Sequence, residues 1–276
     1  MGGCLIRIWI NTTINPIKIM KNNAAEQTVN KWADFNAKWD GIENFRMAGD
    51  CLPFEINLPP LERVIEEVRL DEKVIIGSGA KGNLLSRENL KEQFLARPVD
   101  EAIRAPFSIT HFELSRFDRP GSFFHGVYQE VMEPWTAALR QQGFTWDRCN
   151  PLMFISGIGC ATNYHMDYSQ VLACQVYGTK RFCGTRDPER WAPKETRLTY
   201  NPEKIGRPDD LTEEDAICYL MEPKDVLWNT LLTPHWVEAG EQVALSINIS
   251  HGGLRRNGRL CKNEQELIDY RALQKQ

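Results

Sequence analysis

Six short apolar runs follow one another in the second half of the chain: Leu152–Ile155, Gln170–Tyr177, Arg181–Gly184, Ala216–Leu220, Val226–Asn229 and Gln242–Ile249. Each is rich in Val, Ile, Leu or aromatic residues, and Gly, Pro or Asp punctuates the gaps. Runs this short read as strands, because a helix needs roughly 10–12 residues to bury a face. Tight connections are expected at Gly178-Thr179 and at Glu222-Pro223-Lys224-Asp225. So many strands in so little chain must close on themselves or stack, which predicts a small β-barrel or sandwich.

The first half reads as helical. Gln27–Trp39 places Val29, Trp32, Ala33 and Asn36 on one face, and Pro60 opens a segment with Leu61, Val64, Ile65 and Val68 at helical spacing. Ser86–Leu95 is a third candidate. The longest runs from Ser122 to Gln142, with Pro134 as an expected kink and Gly143 as its stop. A last helix, Glu264–Lys275, is expected to start from an Asn263 cap with Glu266 completing a capping box. The expected organisation is therefore a flexible tail at residues 1–20 (Met20 being an alternative start), a helix-rich part at 21–150 that packs on the barrel, a β core at 151–260, and a helix at 261–276 that could serve a homodimer.

Composition closes off several function classes. Eight Trp, twelve Phe and seven Tyr in 276 residues exclude a disordered chain. No apolar stretch approaches the roughly 20 residues of a membrane span. A net charge of −4 without a Lys/Arg block disfavours nucleic acid as a partner. The eight cysteines form no CxxC pair, so they read as reduced core thiols of a cytoplasmic protein rather than as a zinc or disulfide framework.

Chemistry concentrates in five histidines, His111, His125, His165, His235 and His251. His165 and Asp167 stand at i and i+2, so on a strand they share a face. One further imidazole would complete a 2-His-1-carboxylate facial set, which leaves positions open on a metal such as iron(II). His235 lies in DVLWNTLLTPHW, a strand followed by a Pro-containing turn, and the 70 residues from His165 leave room for the hairpins that would bring it back. His251 is the rival third ligand. His111 is read as a strand residue with a satisfied ring, His125 as solvent-facing, and Trp228 as core. Trp236 is divided between packing and substrate stacking. Arg186, Asp187 and Arg190 are read as a solvated loop, and Glu213, Glu214 and Asp215 as a turn or helix start.

The segment NYHMDYSQVLACQVYGTKRF followed by DVLWNTLLTPHW resembles the metal-binding core of Jumonji-C (JmjC) 2-oxoglutarate oxygenases, most closely the asparaginyl-hydroxylase branch that includes factor inhibiting hypoxia-inducible factor. Thr162 stands three before the first His, Lys180 fifteen after it, His235 ten after Asp225, and Asn248 on the following strand. The resemblance spans roughly Pro151 to His251. It implies a mainly β fold with helices, a double-stranded β-helix (cupin or jelly-roll) core with an N-terminal helical support and a C-terminal helix. It also implies Fe(II) held by His165, Asp167 and His235, and 2-oxoglutarate held by Lys180, Thr162 and Asn248. The implied reaction is O2-dependent hydroxylation, or N-demethylation, of a C–H on an unidentified protein side chain or small metabolite, with release of succinate and CO2. Two departures stand in the pattern: Lys224 where the family often has Gly, and Pro234 where aromatics are common. A family tyrosine that helps bind the co-substrate has no counterpart, and Ser156 and Tyr177 are the candidates to replace it. Two other readings remain: a metal cupin that uses no 2-oxoglutarate, as a dioxygenase or isomerase, and a non-catalytic cupin-like binding protein.

Overall fold

The architecture follows from a strict alternation near the C-terminus. In Leu245-Ser246-Ile247-Asn248-Ile249-Ser250, the apolar residues belong to the main hydrophobic core and the polar ones line a cavity. Period-two alternation of this kind separates the faces of a strand with different surroundings on each side. The computed structural model describes residues 27–77, 87–202 and 204–274. The expected tail at 1–20, its second methionine and Ser86 lie outside them.

The strands are β1 (Thr28–Val29), β2 (Phe45–Met47), β3 (Ile76–Gly77), β4 (Ser108–Glu113), β5 (Phe144–Thr145), β6 (Arg148–Ser156), β7 (Ala161–His165), β8 (Gln170–Tyr177), β9 (Lys180–Thr185), β10 (Ala216–Met221), β11 (Val226–Asn229), β12 (His235–Ala239), β13 (Ala244–Gly252), β14 (Arg255–Arg256) and β15 (Arg259–Leu260). An eight-stranded sheet has the order β1-β2-β11-β8-β13-β6-β4-β3, a four-stranded sheet the order β10-β9-β12-β7, and a small sheet the order β15-β14-β5. All pairings are antiparallel except β1 with β2. From β6 to β13 the chain passes repeatedly between the two larger sheets, with only β9 and β10 consecutive in one of them. Residues of both sheets line one cavity, which therefore lies between them.

The outer face of the large sheet is buried under the N-terminal helices. Val64, Ile65 and Val68 of helix Leu61–Arg69 are fully buried, as the helical spacing predicts. Each such side chain contributes roughly 1.5–3 kcal/mol by leaving water. Trp228 of β11 packs edge-on against Phe35, the ring centroids lying 4.9 Å apart, and Trp135 lies 6.2 Å from it. Trp228 is thus core, as expected.

Several local expectations are corrected. The helix expected over Gln27–Trp39 is confined to Trp32–Lys38, because Thr28 and Val29 pair instead with Arg46 and Met47. β-Branched residues gain more from a strand partner than from a helix turn. The first half also supplies β1, β2, β3 and β4 to the large sheet, of which the sequence reading anticipated only the strand around His111. In the long helix, a π-helical turn at Tyr128–Met132 precedes Pro134. Pro134 has no N–H for the carbonyl one turn back, and the wider turn relieves the clash of its ring. Gly143, at φ 81°, ends that helix as expected. The C-terminal helix runs Lys262–Leu273 from a Cys261 cap. Asn263 donates instead to the Leu231 carbonyl and Glu266 pairs with Lys194, so no capping box forms.

The cysteine reading is corrected in one place. Cys183 and Cys218 stand directly opposite on β9 and β10 and form a disulfide across 35 residues of sequence. Cys51, Cys149, Cys174 and Cys261 are free thiols, and Cys160 Sγ lies 3.1 Å from the Phe107 carbonyl. Among the described residues, no helix is long and apolar enough to cross a membrane.

Candidate functional site

His165 ends β7 and His235 begins β12, and the antiparallel register sets the two opposite each other. Their ring centroids are 4.1 Å apart. Asp167 lies just past the end of β7, where its own carbonyl accepts from the Leu232 N–H at 2.8 Å and so fastens the segment to the loop before His235. The result is a cluster of three potential ligand atoms within 4.8 Å of one another. His165 Nε2 is 3.7 Å from Asp167 Oδ1, and His235 Nε2 is 3.5 Å from Asp167 Oδ2.

The hydrogen bonds on the far side of each ring fix its tautomer. His165 Nδ1 lies 2.7 Å from the Asn163 carbonyl, and His235 Nδ1 lies 2.9 Å from the Thr233 carbonyl. A carbonyl only accepts, so both Nδ1 atoms carry a proton and both Nε2 atoms face the cluster. Burial of His235, helped by the neighbouring His165, depresses its pKa to about 4, against the opposing pull of Asp167. Its imidazole is thus neutral at physiological pH, the state in which a ring nitrogen can bind a metal. Phe182 stacks on the His235 ring at 5.1 Å and holds its plane.

The cavity that contains this cluster measures about 760 Å³, and Thr162, Lys180, Asn248 and Ser156 also line it. Lys180 begins β9 and is 7% exposed, with its Nζ donating to Ser246 Oγ at 3.2 Å. Burial without a compensating carboxylate pulls its pKa down to about 8. Asn248 Oδ1 is buried without a hydrogen-bond partner among the described residues. The cavity therefore offers an under-neutralised cation and a spare acceptor near its Lys180 end. Of the two candidates for the missing tyrosine, Ser156 faces the cavity. Tyr177 turns away, its hydroxyl 2.7 Å from the Leu58 and Pro59 carbonyls.

The remaining sequence candidates fall outside the cluster. His251 is on the opposite face of β13, where its Nε2 accepts from Trp135 Nε1 at 2.9 Å and its Nδ1 donates to the Gln170 carbonyl at 3.2 Å. It is a core residue, not a third ligand. Trp236 is buried, donates to Glu238 and lies beneath Arg207, so packing is its role. Asp187 caps the short helix Pro188–Trp191, and Arg186 and Arg190 reach the Glu214 carbonyl and Asp215. Glu213 pairs with Arg181, and Asp215 accepts from Thr212 in a turn. His125 faces Asp118. His111 is on β4 as expected, but it is exposed at φ 53° in a bulge, its ring against Phe154 at the cavity wall, rather than tied into the core.

Sequence reasoning missed Asn229, Ser246 and Ser250. Asn229 ends β11, is 1% exposed and touches the cluster directly. The serines belong to the polar half of the β13 alternation, a signal legible only once that strand is known to face a cavity.

No family model matches the sequence, and no curated protein matches it. Among solved structures, two of the ribosomal oxygenase YcfD from Escherichia coli are similar. One overlays with a TM-score of 0.48 and 14% identity, covering 81% of this chain and 52% of that one. The other gives a TM-score of 0.49 and 14% identity, covering 88% of this chain and 54% of that one. The chain spans about half the length of these structures.

Proposed function

We propose that this protein is an iron(II)- and 2-oxoglutarate-dependent oxygenase of the JmjC type, built on a double-stranded β-helix. The strand path from β6 to β13, passing repeatedly between two facing sheets, supports that fold. One observation carries the functional reading. A three-residue face with both imidazole Nε2 atoms directed inward shares a cavity with a buried lysine that has no carboxylate partner among the described residues.

The donor set fits the metal. Two imidazoles and one carboxylate match a facial set with open positions, whereas a structural zinc site closes with four protein ligands. In this reading His165, Asp167 and His235 hold the iron. The Lys180 ammonium takes the far carboxylate of 2-oxoglutarate, with the Ser246 and Thr162 hydroxyls beside it. Asn248 offers its free amide oxygen on the same wall. The apolar walls, buried Phe182 and half-buried Val237 among them, limit water around the bound pair. Iron and 2-oxoglutarate, when bound, supply O2-dependent oxidation with release of succinate and CO2. The outcome is hydroxylation, or N-demethylation, of a C–H on a protein side chain or small metabolite.

Anaerobic titration tests the reading. Addition of iron(II) and then 2-oxoglutarate should produce the weak metal-to-ligand charge-transfer band of a chelated keto acid. Iron binding with no band and no affinity for 2-oxoglutarate would favour a cupin that uses the metal without this co-substrate. No iron binding at all would leave a binding protein. Incubation with O2 and candidate substrates, read by mass spectrometry as a gain of one oxygen, then addresses the reaction itself.

A further inference from the structure

A second strong cation, itself exposed to solvent, lines the cavity outside the residues assigned above. Arg148 begins β6 and lines the same cavity as the His–Asp–His cluster. Its Nη1 donates to Ser250 Oγ at 3.0 Å, and Ser250 Oγ donates in turn to Ser169 Oγ at 2.9 Å. A hydroxyl chain, rather than a carboxylate, thus steers the guanidinium. Among the described residues Arg148 forms no ion pair, while Arg116, Arg181, Arg197 and Arg255 each do. The nearby acids are engaged elsewhere. Asp147 is paired with Arg255, and Glu264 accepts from the Gly253 N–H. Asp167 is the single carboxylate among the described residues lining the cavity.

Sheet register places this cation relative to the cluster. The cavity-facing residues of β13 form a ruler: Ser246 contacts Lys180 and Ser250 contacts Arg148. Four residues of strand separate them, about 13 Å. Ser250, Val171 and Asn229 form one row across the large sheet, and Asn229 reaches Asp167 from that row. The guanidinium therefore stands level with the metal-ligand cluster, and Lys180 lies toward the other end. Arginine presents a planar fork of donors that matches oxyanions and stays charged at any physiological pH.

We propose that Arg148 anchors a substrate subsite for an oxyanion, a carboxylate or phosphate, carried by a small organic acid. This deepens the functional reading and rests on it in one respect: with Lys180 taken by 2-oxoglutarate, Arg148 is, among the described residues lining the cavity, the Lys or Arg left for the substrate. A cavity of about 760 Å³ is within the range of small-molecule sites, which favours a metabolite over a folded partner.

The test uses three probes with one apolar tail and different heads: hexanoate, hexyl phosphate and hexanamide. Each is titrated calorimetrically into the full-length protein loaded with Zn(II) and saturated with 2-oxoglutarate. An anionic probe should bind at least ~10-fold more tightly than hexanamide, and the better anion identifies the oxyanion. Arg148→Gln should remove that preference and Arg148→Lys should keep part of it, with 2-oxoglutarate affinity unchanged within about twofold. Equal binding of all three heads, no binding of either anion, or an Arg148→Gln variant that binds the anion normally overturns the proposal. So does a loss of 2-oxoglutarate affinity in place of probe affinity. Failure of the wild type to bind 2-oxoglutarate would instead sink the functional reading. The probes are then titrated without it into Lys180→Ala and Arg148→Gln, and anion binding that depends on Lys180 alone overturns the Arg148 assignment.

Discussion

The Asn229 side-chain amide donates to Asp167 Oδ2 at 2.8 Å and lies 3.4 Å from His235 Nε2. A carboxylate only accepts, so the amide nitrogen must be the atom that faces it. One residue thus touches two members of the cluster and sets the rotation of the Asp167 carboxylate. Asn229 Oδ1 is buried without a partner among the described residues.

Outer hydrogen bonds of this kind typically contribute 10–100-fold to metal affinity. Asn229→Leu, close in volume and without the amide, should weaken Zn(II) or Co(II) binding by about that factor. Competition against a chromophoric chelator measures it. Unchanged metal affinity in a folded variant would mean that Asp167 is oriented by the loop alone.

The site was legible where chemistry and spacing coincide, and illegible where it depends on the partner strand. His165, Asp167 and His235 announce themselves through residue type and separation, and the fold brings the three together. Gln170–Tyr177 and Val226–Asn229 coincide with β8 and β11 because Gly, Asp and Asn bound them. The strand β12 was hidden, since Pro234 precedes it and five residues, His235–Ala239, show too short an alternation. Cys183 and Cys218 carry no local signal, for only the register of β9 with β10 makes them neighbours. Asn229 resembles an ordinary strand end until Asp167 is set beside it.

His235 and His251 are both buried, with pKa values depressed to about 4, yet their roles differ. His235 directs a lone pair into the cluster, whereas both ring nitrogens of His251 are occupied by Trp135 and Gln170. His235→Ala should abolish metal binding with little loss of fold. His251→Ala should keep metal stoichiometry and cost about 2–4 kcal/mol, from the cavity and the stranded Trp135 N–H. Denaturant melts paired with metal titrations separate the two, and a metal-free but stable His251→Ala would reverse the assignment.

Lys180 gives a pH signature. Its folded pKa, about 8, lies below that of an unfolded lysine because burial disfavours the charge. Between these two values the unfolded chain binds the extra proton, so this group makes the ligand-free protein more stable as pH rises through that window. Binding of an anionic co-substrate needs the charged form and should run the opposite way. Affinity for 2-oxoglutarate is expected to fall as pH rises above about 8, with proton uptake on binding visible in calorimetry as a buffer-dependent heat. Lys180→Ala should weaken 2-oxoglutarate by about 10- to 1,000-fold, leave iron affinity nearly unchanged, and erase the pH dependence. A flat pH profile in the wild type would exclude Lys180 as the anchor.

Lys224 is the departure from the family pattern that the backbone explains. The Asp225 N–H donates to the Glu222 carbonyl at 2.9 Å, closing a four-residue turn with Pro223 at its second position. Lys224, at the third, has φ 81°. These features define a type II turn, whose third position favours Gly because a Cβ there crowds the backbone. The left-handed conformation costs an L-residue about 1–2 kcal/mol, partly offset in a glycine variant by its freer unfolded chain. Lys224→Gly should therefore stabilise the protein by about 0.5–1 kcal/mol, seen as a rise in Tm of roughly 1–4 °C. Lys224→Ala removes the same charge but keeps the Cβ, and should give no such rise. Equal stabilisation by both variants would assign the effect to charge and leave the turn without strain to relieve.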